Sequence, residues 1–184
     1  MSQYQIAVVV GSLREESFNR QVAQAVVKLA PEQFAFRFLR IDDLPLYNQD
    51  DDKDPPESAT RLKSELGESD GVIFFTPEYN RSVPGVLKNA IDHASRPYGH
   101  SAWAGKPAGI MGVSVGAIGT AVAQQHLRVM LAYLDMPTLG QPEVFLQMKD
   151  GLLDDSGNVG QDSRKFLQGW MDRYVAWVEL HAGA

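Results

Sequence analysis

Runs of consecutive apolar residues alternate along the chain with segments whose apolar positions recur at helical spacing. Residues 6–10, Ile-Ala-Val-Val-Val, have no polar position, the pattern of a strand buried on both faces. Over residues 18–29, Val22, Ala25, Val26 and Leu29 share one helical face, and Pro31 ends the helix. Residues 34–41 alternate apolar and basic side chains, as a strand nearer a sheet edge does. Residues 42–56 are polar and proline-punctuated, which predicts a loop. A short helix over 59–66, a second fully buried strand over 71–76 and a helix over 83–95 follow. The remaining pattern predicts a third central strand over 106–113 and an amphipathic helix over 118–134 that stops before Pro137. Residues 144–145 read as a short last strand and 165–180 as a long C-terminal helix.

Strand–helix alternation with wholly apolar central strands argues for a parallel sheet covered on both faces. Five strands and five helices fit an α/β, flavodoxin-like doubly wound sheet of order 2-1-3-4-5, formed as one domain over residues 1–184. In such sheets a ligand sits beyond the carboxyl ends of the strands, beside the switch between strands 1 and 3. The functional residues are therefore expected in the loops after strands 1, 3 and 4.

Bulk properties narrow the chemistry. The 184 residues are 44% hydrophobic and 22% charged, ordinary globular composition that suits one core. A formal charge of -6 gives no sign of a broad nucleic-acid surface. With no cysteine, disulfides, thiolate catalysis and cysteine-ligated metals are excluded. No apolar run approaches the roughly 20 residues of a membrane span, and no basic leader precedes the first strand. A cytoplasmic protein is the expectation. The acidic run Asp50-Asp51-Asp52-Lys53-Asp54 raises calcium as an alternative to a solvated loop. His93 and His126 lack ligand spacing, so no metal is expected.

The first loop, Gly-Ser-Leu-Arg-Glu-Glu-Ser-Phe-Asn, gathers Ser12, Arg14, Ser17 and Asn19 where a helix is about to start. A guanidinium with short hydroxyl and amide donors suits a phosphate, which helix N-termini also favour. Alternatively, Ser17 or Asn19 simply caps the helix. Neither Gly-x-x-x-x-Gly-Lys-Ser/Thr nor Gly-x-Gly-x-x-Gly is present, which points to a mononucleotide rather than a Walker-bound triphosphate or a Rossmann dinucleotide.

The third loop, Thr76-Pro77-Glu78-Tyr79-Asn80-Arg81-Ser82-Val83-Pro84-Gly85, is stiffened by two prolines. Tyr79 and Asn80 offer a flat surface and an amide to a planar heterocycle; a rigid turn with an exposed Tyr is the plainer alternative. After the fourth strand, Gly112-Val113-Ser114-Val115-Gly116 matches the Gly-x-Ser-x-Gly nucleophile elbow, with Asp residues and His181 following in α/β-hydrolase order. A serine hydrolase using Ser114 is thus a rival enzyme class. A flavodoxin-like electron carrier is another, although such carriers need a strongly acidic docking face.

Two motifs carry a resemblance. Gly-Ser-Leu-Arg-x-x-Ser-x-Asn after strand 1 and Pro-Glu-Tyr-Asn-x-Ser-x-Pro-Gly-x-Leu-Lys-Asn-Ala-Ile-Asp after strand 3 resemble the NADPH-dependent FMN reductase family, and within it the chromate and quinone reductase branch. The general pattern, with Ala104-Gly105-Lys106-Pro107 before strand 4, covers nearly the whole chain. The resemblance implies that Ser12, Arg14, Ser17 and Asn19, with Phe18 beside them, hold the FMN phosphate. Pro77, Glu78, Tyr79 and Asn80 would line the isoalloxazine, with Ser82 alongside. Ser114 would add a small polar contact, and the glycines around it, Gly116 included, would let backbone amides approach the ring or ribityl chain. NAD(P)H would be co-substrate in a ping-pong cycle, and no protein side chain need act as an acid or base because the flavin carries the chemistry. Quinones are the expected acceptors, with chromate, azo or nitro compounds or free flavin as others. A homodimer or homotetramer with sites near its interfaces is also implied.

Overall fold

The first apolar run becomes β1 (Tyr4–Val10), an interior strand of a five-stranded sheet in a computed structural model that describes residues 4–182. The other strands are β2 (Phe34–Phe38), β3 (Gly71–Phe75), β4 (Ala108–Ser114) and β5 (Phe145–Gln147). All neighbours pair in parallel, in the order β2-β1-β3-β4-β5. This is the flavodoxin-like topology expected, with the alternating strand β2 at an edge. The helices are α1 (Phe18–Val26), α2 (Glu57–Gly67), α3 (Gly85–Ala94), α4 (Ala121–Tyr133) and α5 (Gln161–His181).

Side chains alternate across a strand, so an unbroken apolar strand feeds two cores. Ile6, Val8 and Val10 pack in one core with Val22 and Val26 of α1 and Trp170 and Tyr174 of α5. Ala7 and Val9 enter the other, with Leu62 of α2, Leu87 of α3 and Leu127 of α4. Trp170 and Tyr174 stack with centroids 5.4 Å apart. Gly109 makes room for them: a Cβ there would lie 2.8 Å from both rings.

Element ends depart from the periodicity for local reasons. The first helix tightens into a 3-10 turn over Val27–Leu29 before Pro31. β2 leaves the ladder at Phe38, although Leu39 and Ile41 remain buried in the second core. Pro107 cannot donate, so β4 begins at Ala108, while the Pro107 carbonyl accepts from Val72 N–H at 2.9 Å. α4 starts at Ala121, after Gly119 at φ 63°. The acidic run forms a 3-10 turn over Gln49–Lys53, capped by the Asn48 side chain. No group of three or more metal-ligating side chains gathers among the described residues. The polar segment is pinned to α3: Asn89 donates to the Pro45 carbonyl (2.8 Å) and accepts from Tyr47 N–H (2.8 Å).

Candidate active site at the carboxyl edge of the sheet

Backbone bonds join the loops where β1, β3 and β4 end. Gly11 N–H donates to Phe75 O at 2.8 Å, and Thr76 N–H to Met111 O at 3.0 Å. A Cβ on Gly11 would sit 3.2 Å from Leu87 and 3.5 Å from Pro77, so glycine permits the first loop to approach the third.

In the first loop Ser12 and Ser17 are buried and Arg14 is exposed. Ser17 caps α1, its Oγ accepting from Arg20 N–H at 3.3 Å, so the capping alternative holds for this residue. Its hydroxyl proton remains available to a ligand. The N–H groups of Phe18 and Asn19, in the first turn of α1, donate to no group among the described residues. The Arg14 guanidinium lies 5.0 Å from the Phe18 ring centroid and pairs with no carboxylate among those residues. Free backbone donors, a helix N-terminus and an unpaired guanidinium fit a phosphate monoester.

Asn19 plays another part than the one expected of its side chain. The amide donates to Val113 O at 3.0 Å, and its oxygen accepts from Val113 N–H at 3.0 Å. Buried and fully engaged, it braces α1 against β4, leaving only its main-chain N–H to face a ligand.

The third loop closes as a tight turn in which Tyr79 and Ser82 exchange two backbone bonds of 3.0 Å. Asn80 (φ 51°) and Arg81 (φ 63°) occupy its two centre positions, both left-handed. Asn tolerates that conformation, but Arg81 bears strain on the order of 1–2 kcal/mol. The N–H groups of Glu78, Asn80 and Arg81 have no protein acceptor among the described residues. Pro77 is buried, whereas the Tyr79 ring is 52% exposed at the turn.

Glu78 also departs from its expected role. Its Oε2 accepts from Val122 N–H at 3.0 Å and Ala123 N–H at 3.1 Å, at the N-terminus of α4. Arg81 reaches its other oxygen at 3.3 Å. The carboxylate therefore clamps the turn to α4 and does not line a slot, although its backbone N–H is free. Ser82 is similarly occupied, with Oγ 3.0 Å from His126 Nδ1 on α4.

The loop after β4 corrects two more expectations. Ser114 Oγ donates to Gly119 O at 2.7 Å and accepts from Gly116 N–H at 3.2 Å. Both the hydroxyl and the Gly116 amide are thus turned into their own loop. No histidine hydrogen-bonds Ser114 among the described residues, and three of the chain's four are engaged elsewhere: His126 with Ser82, His93 with the Pro45 carbonyl and His181 with Trp177 O. A nucleophile elbow without a base is no hydrolase site.

The residues that sequence reasoning missed are the supports. His126 has no ligand spacing in the sequence, and its link to Ser82 spans 44 positions. Thr120 fills space beside Gly112, where a Cβ would fall 2.3 Å from its Oγ1 and 2.1 Å from Thr76 O. Only the small residue at 112 could have hinted at that approach. On the flank towards β2, Arg40 donates to Asp42 at 3.1 Å and holds that carboxyl below the usual carboxylate range.

The family described as NADPH-dependent FMN reductase matches residues 4–151. A 2-hydroxy-1,4-benzoquinone reductase from Burkholderia sp is 56% identical over 174 residues, covering 94% of this chain and 95% of that protein. A quinone reductase from Pseudomonas putida is 52% identical over 183 residues, covering 98% of each. The solved structure of FerB, a flavoenzyme NAD(P)H:(acceptor) oxidoreductase from Paracoccus denitrificans, superposes with TM-score 0.93 at 45% identity, covering 97% of this chain and 98% of that one.

Proposed function

The chain belongs to the NADPH-dependent FMN reductase family, and on that premise we propose that it passes electrons from NAD(P)H through bound FMN to quinones. The observation that carries the site assignment is the pair of free donor sets, one at the start of α1 after β1 and one in the 77–82 turn after the adjacent strand β3. Ser12, Arg14, Ser17 and the N–H groups of Phe18 and Asn19 hold the phosphate. The Tyr79 ring and the N–H groups of Glu78, Asn80 and Arg81 take the heterocycle, with the Asn80 amide at its polar edge. When bound, FMN supplies the hydride chemistry between a nicotinamide and its acceptor.

The protein's part is to bind, orient and hold charge. The free N–H donors in the 77–82 turn would stabilise negative charge on a bound ring, and the Glu78 carboxylate holds that turn against α4. Nicotinamide and acceptor would use the bound flavin in turn, a ping-pong scheme in which the protein's residues only bind and orient. Chromate, azo and nitro compounds and free flavin are secondary acceptors in this reading. The quinone preference is supported by the names of the relatives 56% and 52% identical to this chain.

Assembly as a homodimer or homotetramer belongs to the same proposal. Val129 and Tyr133 on α4 are 71% and 81% exposed, and Tyr98 beyond α3 is 82% exposed, an apolar face suited to a second copy. No helix among the described residues is long and apolar enough to cross a membrane.

The test is anaerobic. NADPH should bleach the yellow FMN-loaded protein, and 1,4-benzoquinone should restore the colour within turnover time. Restoration by free FMN but not by the quinone would contradict the assignment of acceptor.

A further inference from the structure

Between the ends of β1 and β2 lies a cleft of about 260 Å³ lined by Leu13, Arg20, Phe38, Arg40 and Asp42. It shares Leu13 with the first loop and Arg20 with α1, so it opens directly beside the phosphate loop. Of its two cations, Arg40 is paired with Asp42 at 3.1 Å. Arg20 forms no ion pair among the described residues, although its charge reaches Asp42, and the residues lining the cleft carry one net positive charge. Resting on the reductase reading, we propose that this cleft is the subsite for the 2′-phosphate end of NADPH, with Arg20 as the residue that separates NADPH from NADH.

Position and charge support this direction over the alternatives. Neighbouring strands lie about 4.8 Å apart, so the end of β2 is about 10 Å from that of β3, across β1. A dinucleotide with its nicotinamide at the 77–82 turn reaches that far with its adenosine half. On the opposite flank, the cleft beside β5 is lined by Asp150, Asp154 and Asp155 against Lys149 alone, a surface that repels phosphate. Backbone hydrogen bonding from Asn158 holds the Asp154 carboxyl below its usual range, which keeps that charge in place. Along α3 and α4, Lys88 pairs with Asp92 at 2.7 Å and Arg128 with Glu143 at 3.4 Å, while Arg96 just beyond α3 lies over the Tyr47 ring at 5.8 Å. Leu13, 56% exposed, adds an apolar surface for the adenine.

The experiment uses the FMN-loaded protein and two probes, 2′,5′-ADP and 5′-AMP, titrated by calorimetry. Wild type should bind 2′,5′-ADP about tenfold more tightly than 5′-AMP, the scale of one charge-assisted phosphate contact. Arg20→Ala should bring the two probes within about twofold and lower the NADPH-to-NADH ratio of kcat/KM about tenfold. Arg20→Lys should restore part of both. A wild type indifferent to the 2′-phosphate, or an Arg20→Ala variant that keeps the preference, overturns the subsite while leaving the reductase reading intact. Loss of FMN from Arg20→Ala also overturns it, by placing Arg20 on the flavin phosphate. A wild type that retains FMN yet oxidises neither nucleotide overturns both readings together.

Discussion

Replacing Glu78 with alanine should destabilise the protein more than any other change in the 77–82 turn. The side chain is 8% exposed, and one carboxylate oxygen accepts two N–H bonds from the first turn of α4, at 3.0 and 3.1 Å. A hydrogen bond to a charged group contributes about 1.5–3 kcal/mol, and loss of a helix cap costs about 0.5–2 kcal/mol. Because both bonds share one oxygen, their sum is less than twice the single value, so about 2–3 kcal/mol is expected for Glu78→Ala. The exposed Arg81 arm of the contact adds little. For a chain of this length, 1 kcal/mol shifts Tm by about 2–4 °C, which gives a fall of about 4–12 °C. Glu78→Gln keeps an acceptor but loses the charge beside the helix N-terminus, so it should fall between wild type and alanine. Differential scanning fluorimetry of the flavin-free proteins measures this, and FMN titration of the same samples should show weaker binding in the same order. A Glu78→Ala Tm within about 1 °C of wild type would refute the clamp.

Asn19→Ala leaves the Val113 N–H and C=O buried without partners, so urea unfolding should show a loss of about 2–4 kcal/mol; an unchanged midpoint would sink the brace. Gly109→Ala drives a methyl into Trp170 and Tyr174 and should cost about 1–3 kcal/mol; wild-type stability would mean the rings shift freely. Burial lowers the Lys106 ammonium pKa below its unfolded value of about 10.4. Between the two values the unfolded chain holds more protons, so this residue's contribution to stability rises with pH through that window. The stability difference between wild type and Lys106→Met should therefore move in favour of wild type as pH rises towards 10.4; a flat difference would contradict the burial argument.

The fold was largely legible because the strands β1, β3 and β4 are buried on both faces, and unbroken apolar runs have few other uses. Their order followed from strand–helix alternation, and the switch point located the loops that matter. Individual side-chain roles were harder to read. Asn19, Glu78 and Ser82 carry the chemistry of ligand contacts, yet each meets an element 44 or more positions away: Val113, the start of α4 and His126. Such partners depend on the depth at which helices pack, which a local motif does not encode. The Gly-x-Ser-x-Gly pattern misled for the same reason. Its serine bonds Gly119 O, five positions on, and no histidine hydrogen-bonds it among the described residues. Arg14 is expected from the sequence to meet a phosphate; in the exposed first loop it pairs with no carboxylate among the described residues and lies 5.0 Å from the Phe18 ring.

The central claim is that the first loop anchors a phosphate and the third loop takes the ring it carries. Equilibrium binding of FMN against riboflavin, to wild type and Arg14→Ala, tests this most directly, since the two ligands differ only in the phosphate. Wild type should favour FMN strongly, and Arg14→Ala should lose about 1.5–3 kcal/mol, roughly 10- to 150-fold, of FMN affinity with riboflavin binding unchanged. Equal loss for both ligands, or none for FMN, would place the phosphate elsewhere and contradict the account.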